Sequence, residues 1–149
     1  MEATGELDIS WKDLKYSGEM SLKIDYPETL SIEVYGPFGN TVVSIEKDKG
    51  RFVMRAGNDE VNDEKRFRDI FKIRVEDFMN DITMRGERKK ESDDAFSIQR
   101  DGYKTIYRFN DSENKMCRVS PEGTICITFL EVNFDKGQAV GKNSNKKMQ

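Results

Sequence analysis

Apolar residues recur at every second position over most of this chain, and that period constrains the fold more than any other feature. Met20, Leu22, Ile24 and Tyr26 alternate with Glu19, Ser21, Lys23 and Asp25. Side chains on an extended strand point alternately to opposite faces, so this pattern marks a half-buried strand with one wet face. Pro27-Glu28 interrupts it as a turn, and Leu30, Ile32 and Val34 resume it, which makes a long hairpin. Leu7, Ile9 and Trp11 form an earlier run opening at Glu6, and Val43 and Ile45 a later one. Lys47-Asp48-Lys49-Gly50 then turns the chain into Arg51–Arg55.

The period changes in mid-chain. Phe67, Ile70 and Phe71, then Val75, Phe78, Met79 and Ile82, stand at helical spacing and predict two short amphipathic helices. Asp63 and Glu64 favour the start of the first helix, and Glu76 and Asp77 the start of the second, by opposing the N-terminal dipole. Gly86 is expected to end the helical region. The charged run Glu87–Asp94 reads as a solvated loop. Strands then return. Ala95–Arg100 turns at Asp101-Gly102; Tyr103, Thr105, Tyr107 and Phe109 share a face; Asn110–Asn114 turns again; and Lys115–Ser120 and Thr124–Phe134 flank Ser120-Pro121-Glu122-Gly123.

The expected fold class is mainly β (α+β), with about nine antiparallel strands in meander order and one short helical pair. Two short helices cover only part of so large an apolar face, so the sheet is expected to curl into a half-barrel with the helices packed on or closing its concave side. Such interiors commonly accommodate lipid-like ligands. The 149 residues suit one domain over 1–135. Residues 136–149, rich in Gly, Asn, Ser and Lys, read as a disordered tail.

Composition narrows the function. Hydrophobic and charged residues each make up 36% of the chain, and the alternation accounts for the charge by placing every second residue in water. With 25 basic and 28 acidic residues, global charge does not suggest a nucleic-acid binder, and no apolar stretch is long enough to span a membrane. The chain has no His. That removes Ser–His–Asp and Cys–His catalysis and every His-containing metal site. Carboxylate pairs such as Asp93-Asp94 and Asp59/Glu60 lie in charged loops, and the chain is expected to be neither an enzyme nor a cofactor protein. Met1-Glu2-Ala3 opens without a basic n-region or an apolar stretch. The chain is therefore expected either to be cytosolic or to begin downstream of a targeting segment, and the early strand favours the second.

Cys117 and Cys126 flank the last hairpin. A type I turn with a Gly123 bulge pairs Val119 with Ile125 and Cys117 with Ile127. This gathers Cys117, Val119, Ile125, Ile127 and Phe129 on one apolar face and sends Cys126 to the other. A two-residue turn instead pairs Cys117 with Cys126 but sets Val119 against Thr124. A one-residue slip moves every side chain across the sheet, and the apolar pattern favours the first register with two free cysteines.

The segment Tyr35-Gly36-Pro37-Phe38-Gly39-Asn40-Thr41 joins two strands, and Phe38 is its odd residue. Either the ring folds back on the sheet edge or it protrudes from a Pro/Gly-framed tip. From this loop outward the chain resembles the LolB-like branch of the LolA/LolB lipoprotein-trafficking superfamily. The resemblance rests on the opening strands Gly5–Trp11, Tyr16–Tyr26 and Thr29–Val34, on Gly36-Pro37-Phe38-Gly39 followed by Asn40-Thr41, and on the helix Val75–Ile82 ahead of a final hairpin into Ile125–Phe134. It covers roughly residues 5 to 135.

The resemblance implies a half-barrel closed by helices that holds acyl chains of lipoproteins or other lipids. It also implies a loop, Gly36, Pro37, Phe38 and Gly39, whose apolar residue serves membrane delivery. The expected setting is the periplasmic face of the outer membrane, with its inner leaflet and a LolA-like carrier as partners, and no nucleic acid. A lipid anchor would lie upstream of Met1. The helix that usually precedes the family's first strand has no counterpart here. The apolar cavity is expected to be lined by Met20, Leu22, Ile24, Leu30, Ile32, Val34, Tyr107, Ile127 and Phe129, with Phe78, Met79 and Ile82 from the covering helix.

Overall fold

A computed structural model describes residues 1–134. The tail expected over 136–149 lies outside the described residues. The described residues form eleven antiparallel strands in one unclosed, curled sheet, with two short helices. In chain order these are β1 (Glu2–Trp11), β2 (Leu14–Asp25), β3 (Thr29–Tyr35), β4 (Thr41–Asp48), β5 (Arg51–Ala56), β6 (Asp59–Val61), α1 (Glu64–Phe71), α2 (Val75–Ile82), β7 (Arg88–Ser92), β8 (Ala95–Gln99), β9 (Lys104–Phe109), β10 (Asn114–Ser120) and β11 (Gly123–Asn133). The spatial order is β6-β5-β4-β3-β2-β1-β11-β10-β9-β8-β7. Two meanders are thus joined where β1 pairs with β11, and the two helices connect their outer edges.

The count exceeds the expected nine because both edge strands were illegible as strands. Every residue of β7 is exposed, and the run expected as a solvated loop pairs with β8 through Arg88↔Ile98 and Lys90↔Phe96. The three-residue β6 pairs with β5 through Arg55↔Glu60 and Ala56↔Asp59. β7 has no buried residue and β6 turns only Val61 partly toward the core, so neither shows alternation. The first strand begins at Glu2 rather than Glu6, with Ala3 buried as the first inward residue. Between Thr4 and Gly5 the register with β11 shifts, which leaves Leu130 without a partner and exposed. A Cβ at Gly5 would run into the carbonyl oxygen of Thr128, so this bulge requires glycine.

The concave face holds the core. Met20, Leu22 and Ile24 of β2 oppose Val34, Ile32 and Leu30 of β3, and Leu7 of β1 meets Ile127 of β11. Asp63 caps α1, its carboxylate accepting from the Lys65 amide at 2.9 Å. Phe67 of α1 packs between Phe52 and Phe71, with centroids 5.2 and 4.9 Å away. Val75, Met79 and Ile82 of α2 are buried, with Phe78 partly so. The helix ends before Gly86, because Met84 already takes a left-handed backbone conformation. No described helix is long and apolar enough to cross a membrane.

The final hairpin corrects the expected register. Ser120 pairs with Gly123, Val119 with Thr124, Arg118 with Ile125 and Cys117 with Cys126. The turn is the two-residue Pro121-Glu122, and the cysteines form a disulfide with a Cα separation of 4.1 Å. They are not free, and Cys117 and Val119 lie on the convex face with Cys126. Apolar patterning favoured Val119 as the inward residue. Arg118 turns inward instead, because α2 presents a carboxylate to receive it. Gly123 does have a positive φ, but it sits in register, where a side chain would collide with the backbone of Ser10 and Trp11.

Candidate functional site

The strand order fixes two ends of the molecule. The turns after β1, β3, β8 and β10 lie at one end, and those after β2, β4, β7 and β9 lie at the other with the N-terminus. Phe38, in the turn after β3, belongs to the first end. Gly36 brackets this turn, its amide donating to Asn40 O at 2.8 Å and its carbonyl accepting from Gly39 at 3.0 Å. Gly39 takes φ +82° at the tip. Phe38 is 94% exposed, so the ring does not fold back onto the sheet edge.

At the opposite end, α2 stops short of covering the trough and leaves a cleft of about 420 Å³. Ile24 and Tyr26 form one wall, Ile82 to Arg85 the helix side, and Tyr107, Phe109, Phe129, Val132 and Phe134 the other wall. Met1, Asp25 and Asn114 complete the lining. Among the residues expected to form a cavity, Ile24, Ile82, Tyr107 and Phe129 come together here. Met20, Leu22, Leu30, Ile32, Val34, Met79 and Ile127 are buried in the packed core instead, and Phe78 packs against it. The sequence reading missed Met84 and the end of β11. Phe109 was visible as the outermost member of the Tyr103–Tyr107 face.

Beside the cleft lies a buried polar cluster that no periodicity announced. Asp81 of α2 is fully buried. Its carboxylate accepts from Arg100 Nε at 2.8 Å and from the Tyr103 hydroxyl at 3.0 Å, with Arg118 Nη1 at 3.8 Å. Its carbonyl accepts from the Tyr107 hydroxyl. Arg118, 5% exposed, stacks 3.5 Å from the Tyr103 ring centroid, and its Nη2 donates to Lys72 O at 3.3 Å. Burial raises the Asp81 pKa above the ordinary carboxylate value, against the pull of Arg100, Tyr103 and Thr105. Burial and the neighbouring Asp81 likewise push Tyr103 and Tyr107 up. This arrangement ties helix to sheet. It also seals Asp81, the one carboxylate among the described residues whose pKa is raised, from solvent.

The carboxylates read as loop residues are placed differently. Asp94, in the β7–β8 turn, accepts from Asn110 at 2.7 Å and Ser92 at 3.0 Å, and these hydrogen bonds lower its pKa. Glu60 pairs with Arg55 at the sheet edge at 2.9 Å. No group of three or more His, Cys, Asp or Glu side chains suited to a metal occurs among the described residues. Neither the family models nor the curated proteins compared with this chain give a match.

Proposed function

We propose that this protein is a non-catalytic carrier or receptor for acyl chains in the bacterial cell envelope. It would hold the chains of lipoproteins or other lipids and aid their insertion into the outer membrane from its periplasmic face. The carrying observation is the apolar cleft at the open end of the curled sheet. Its volume falls within the roughly 300–1,000 Å³ usual for small-molecule sites. Burying each CH₂ is worth about 0.8 kcal/mol, so containment requires no reacting group. The exposed Phe38 supplies an apolar contact for a bilayer. The Cys117–Cys126 disulfide favours an oxidising compartment, in keeping with a periplasmic site. A LolA-like carrier and the inner leaflet of the outer membrane are the proposed partners.

A second reading is a structural or adaptor module of an envelope assembly without a lipid ligand. The filled core favours it, since most of the inward residues of β2 and β3 are packed rather than lining space. Titration with a fatty-acyl ligand, followed by NMR, separates the two. The carrier reading expects saturable shifts at Ile24, Ile82 and Phe129. Shifts scattered over the surface, without saturation, would leave the adaptor reading.

A further inference from the structure

The cleft is chemically lopsided. Its walls are apolar, yet its rim carries the guanidinium of Arg85. That group is exposed but held in place. Its central carbon sits 3.7 Å from the Tyr26 ring centroid, and the Tyr26 hydroxyl donates to Asn80 Oδ1 at 2.7 Å. The Arg85 backbone is fixed on both sides, its amide donating to Asn80 O at 2.8 Å and its carbonyl accepting from Arg100 Nη2. Among the described residues the guanidinium has no ion-pair or hydrogen-bond partner. A stacked guanidinium retains its in-plane donors, which suit carboxylate or phosphate oxygens. Asp25 also lines the rim, exposed and without an ion pair among the described residues. It opposes a second negative charge, while the Met1 ammonium in the same lining donates to Ile24 O at 2.9 Å, and a rim of mixed sign favours a singly charged head.

We propose that the cleft takes a single-chain amphiphile with a monoanionic head, its chain against Ile82, Phe129 and Val132 and its head on the Arg85 guanidinium. This rests on the containment reading and narrows it. One chain fits the lower part of the usual volume range, and the charge at the rim selects the head. The head's chemistry is common to a fatty-acid carboxylate and a lysophospholipid phosphodiester.

Calorimetric titration of the full chain tests it with five twelve-carbon probes, each below its micelle concentration. These are dodecanoate, lysophosphatidylglycerol, zwitterionic lysophosphatidylethanolamine, dodecyl maltoside and dodecyltrimethylammonium. One or both anions should bind about tenfold tighter than the maltoside, and the tighter anion identifies the source of the head. Arg85→Gln should remove most of that preference, Arg85→Lys should retain part of it, and Asp25→Asn should tighten the anions alone. Equal affinity for anion and maltoside, tighter binding of the zwitterion or the cation, or an Arg85→Gln variant that keeps the full preference overturns this assignment and leaves chain containment standing. Failure of every probe to bind saturably overturns containment itself.

Discussion

Asp81 shows how much one residue can decide. It lies on a helix that is otherwise an ordinary amphipathic segment, and it draws Arg100 from the turn after β8 and Arg118 from β10 towards the interior. Truncating one partner of such a cluster leaves the others charged and dry. Asp81→Ala should therefore lower the unfolding free energy by about 3–5 kcal/mol in urea titration. The pH dependence has a definite sign. The folded-state pKa of Asp81 lies above its ordinary 3.8, so between those two values the folded protein binds the extra proton. This residue's contribution to stability falls as pH rises through that window and is flat above it. Asp81→Asn should abolish that slope, read as the midpoint of urea unfolding against pH. A slope that persists unchanged would assign it to another group.

At the scale of elements, the β10–β11 hairpin joins two kinds of restraint. Arg118 fixes which face turns inward, and the disulfide on the opposite face locks the same register. Closing a loop of nine residues' separation stabilises by roughly 2–3 kcal/mol in the chain-entropy account. The Cys117→Ser/Cys126→Ser double variant should lose about that amount in denaturant titration while keeping the register, because Arg118 still reaches Asp81. Inter-strand contacts seen by NMR check the second half of that expectation. The same hairpin shows where sequence reading runs out. Strands with one wet and one dry face were legible from β1 to β5 and from β8 to β11, and both helices from their spacing. β6 and β7 were not, since edge strands with almost no buried face have no period to read. The register of the last hairpin was misread because apolar patterning assigns a charged residue outward, and only the folded chain shows that Asp81 waits inside. The cleft was legible only in part, since it forms where α2 ends, and that boundary depends on Met84 rather than on Gly86.

For the molecule as a whole, the open sheet leaves two edges unpaired among the described residues, and both are short and charged, as Asp59 and Glu60 on β6 and Arg88, Lys89 and Lys90 on β7 show. Such charges discourage pairing of like edges between copies, acidic against acidic or basic against basic. The trough's two ends are unlike. Phe38→Glu should leave folding and acyl binding intact, because the ring touches neither core nor cleft. Transfer of a lipidated cargo to liposomes should slow by about tenfold or more, since inserting a Phe side chain is worth roughly 1.5–3 kcal/mol. Unchanged transfer would remove the loop from the delivery step. The twelve residues of β2 separate these ends by about 40 Å at 3.3 Å per residue. On the proposed reading, a body standing on its Phe38 tip carries its cargo at the top, away from the lipid. Handover then requires the whole domain to tip over, and its pace is governed by how freely the body can swing rather than by how tightly it grips.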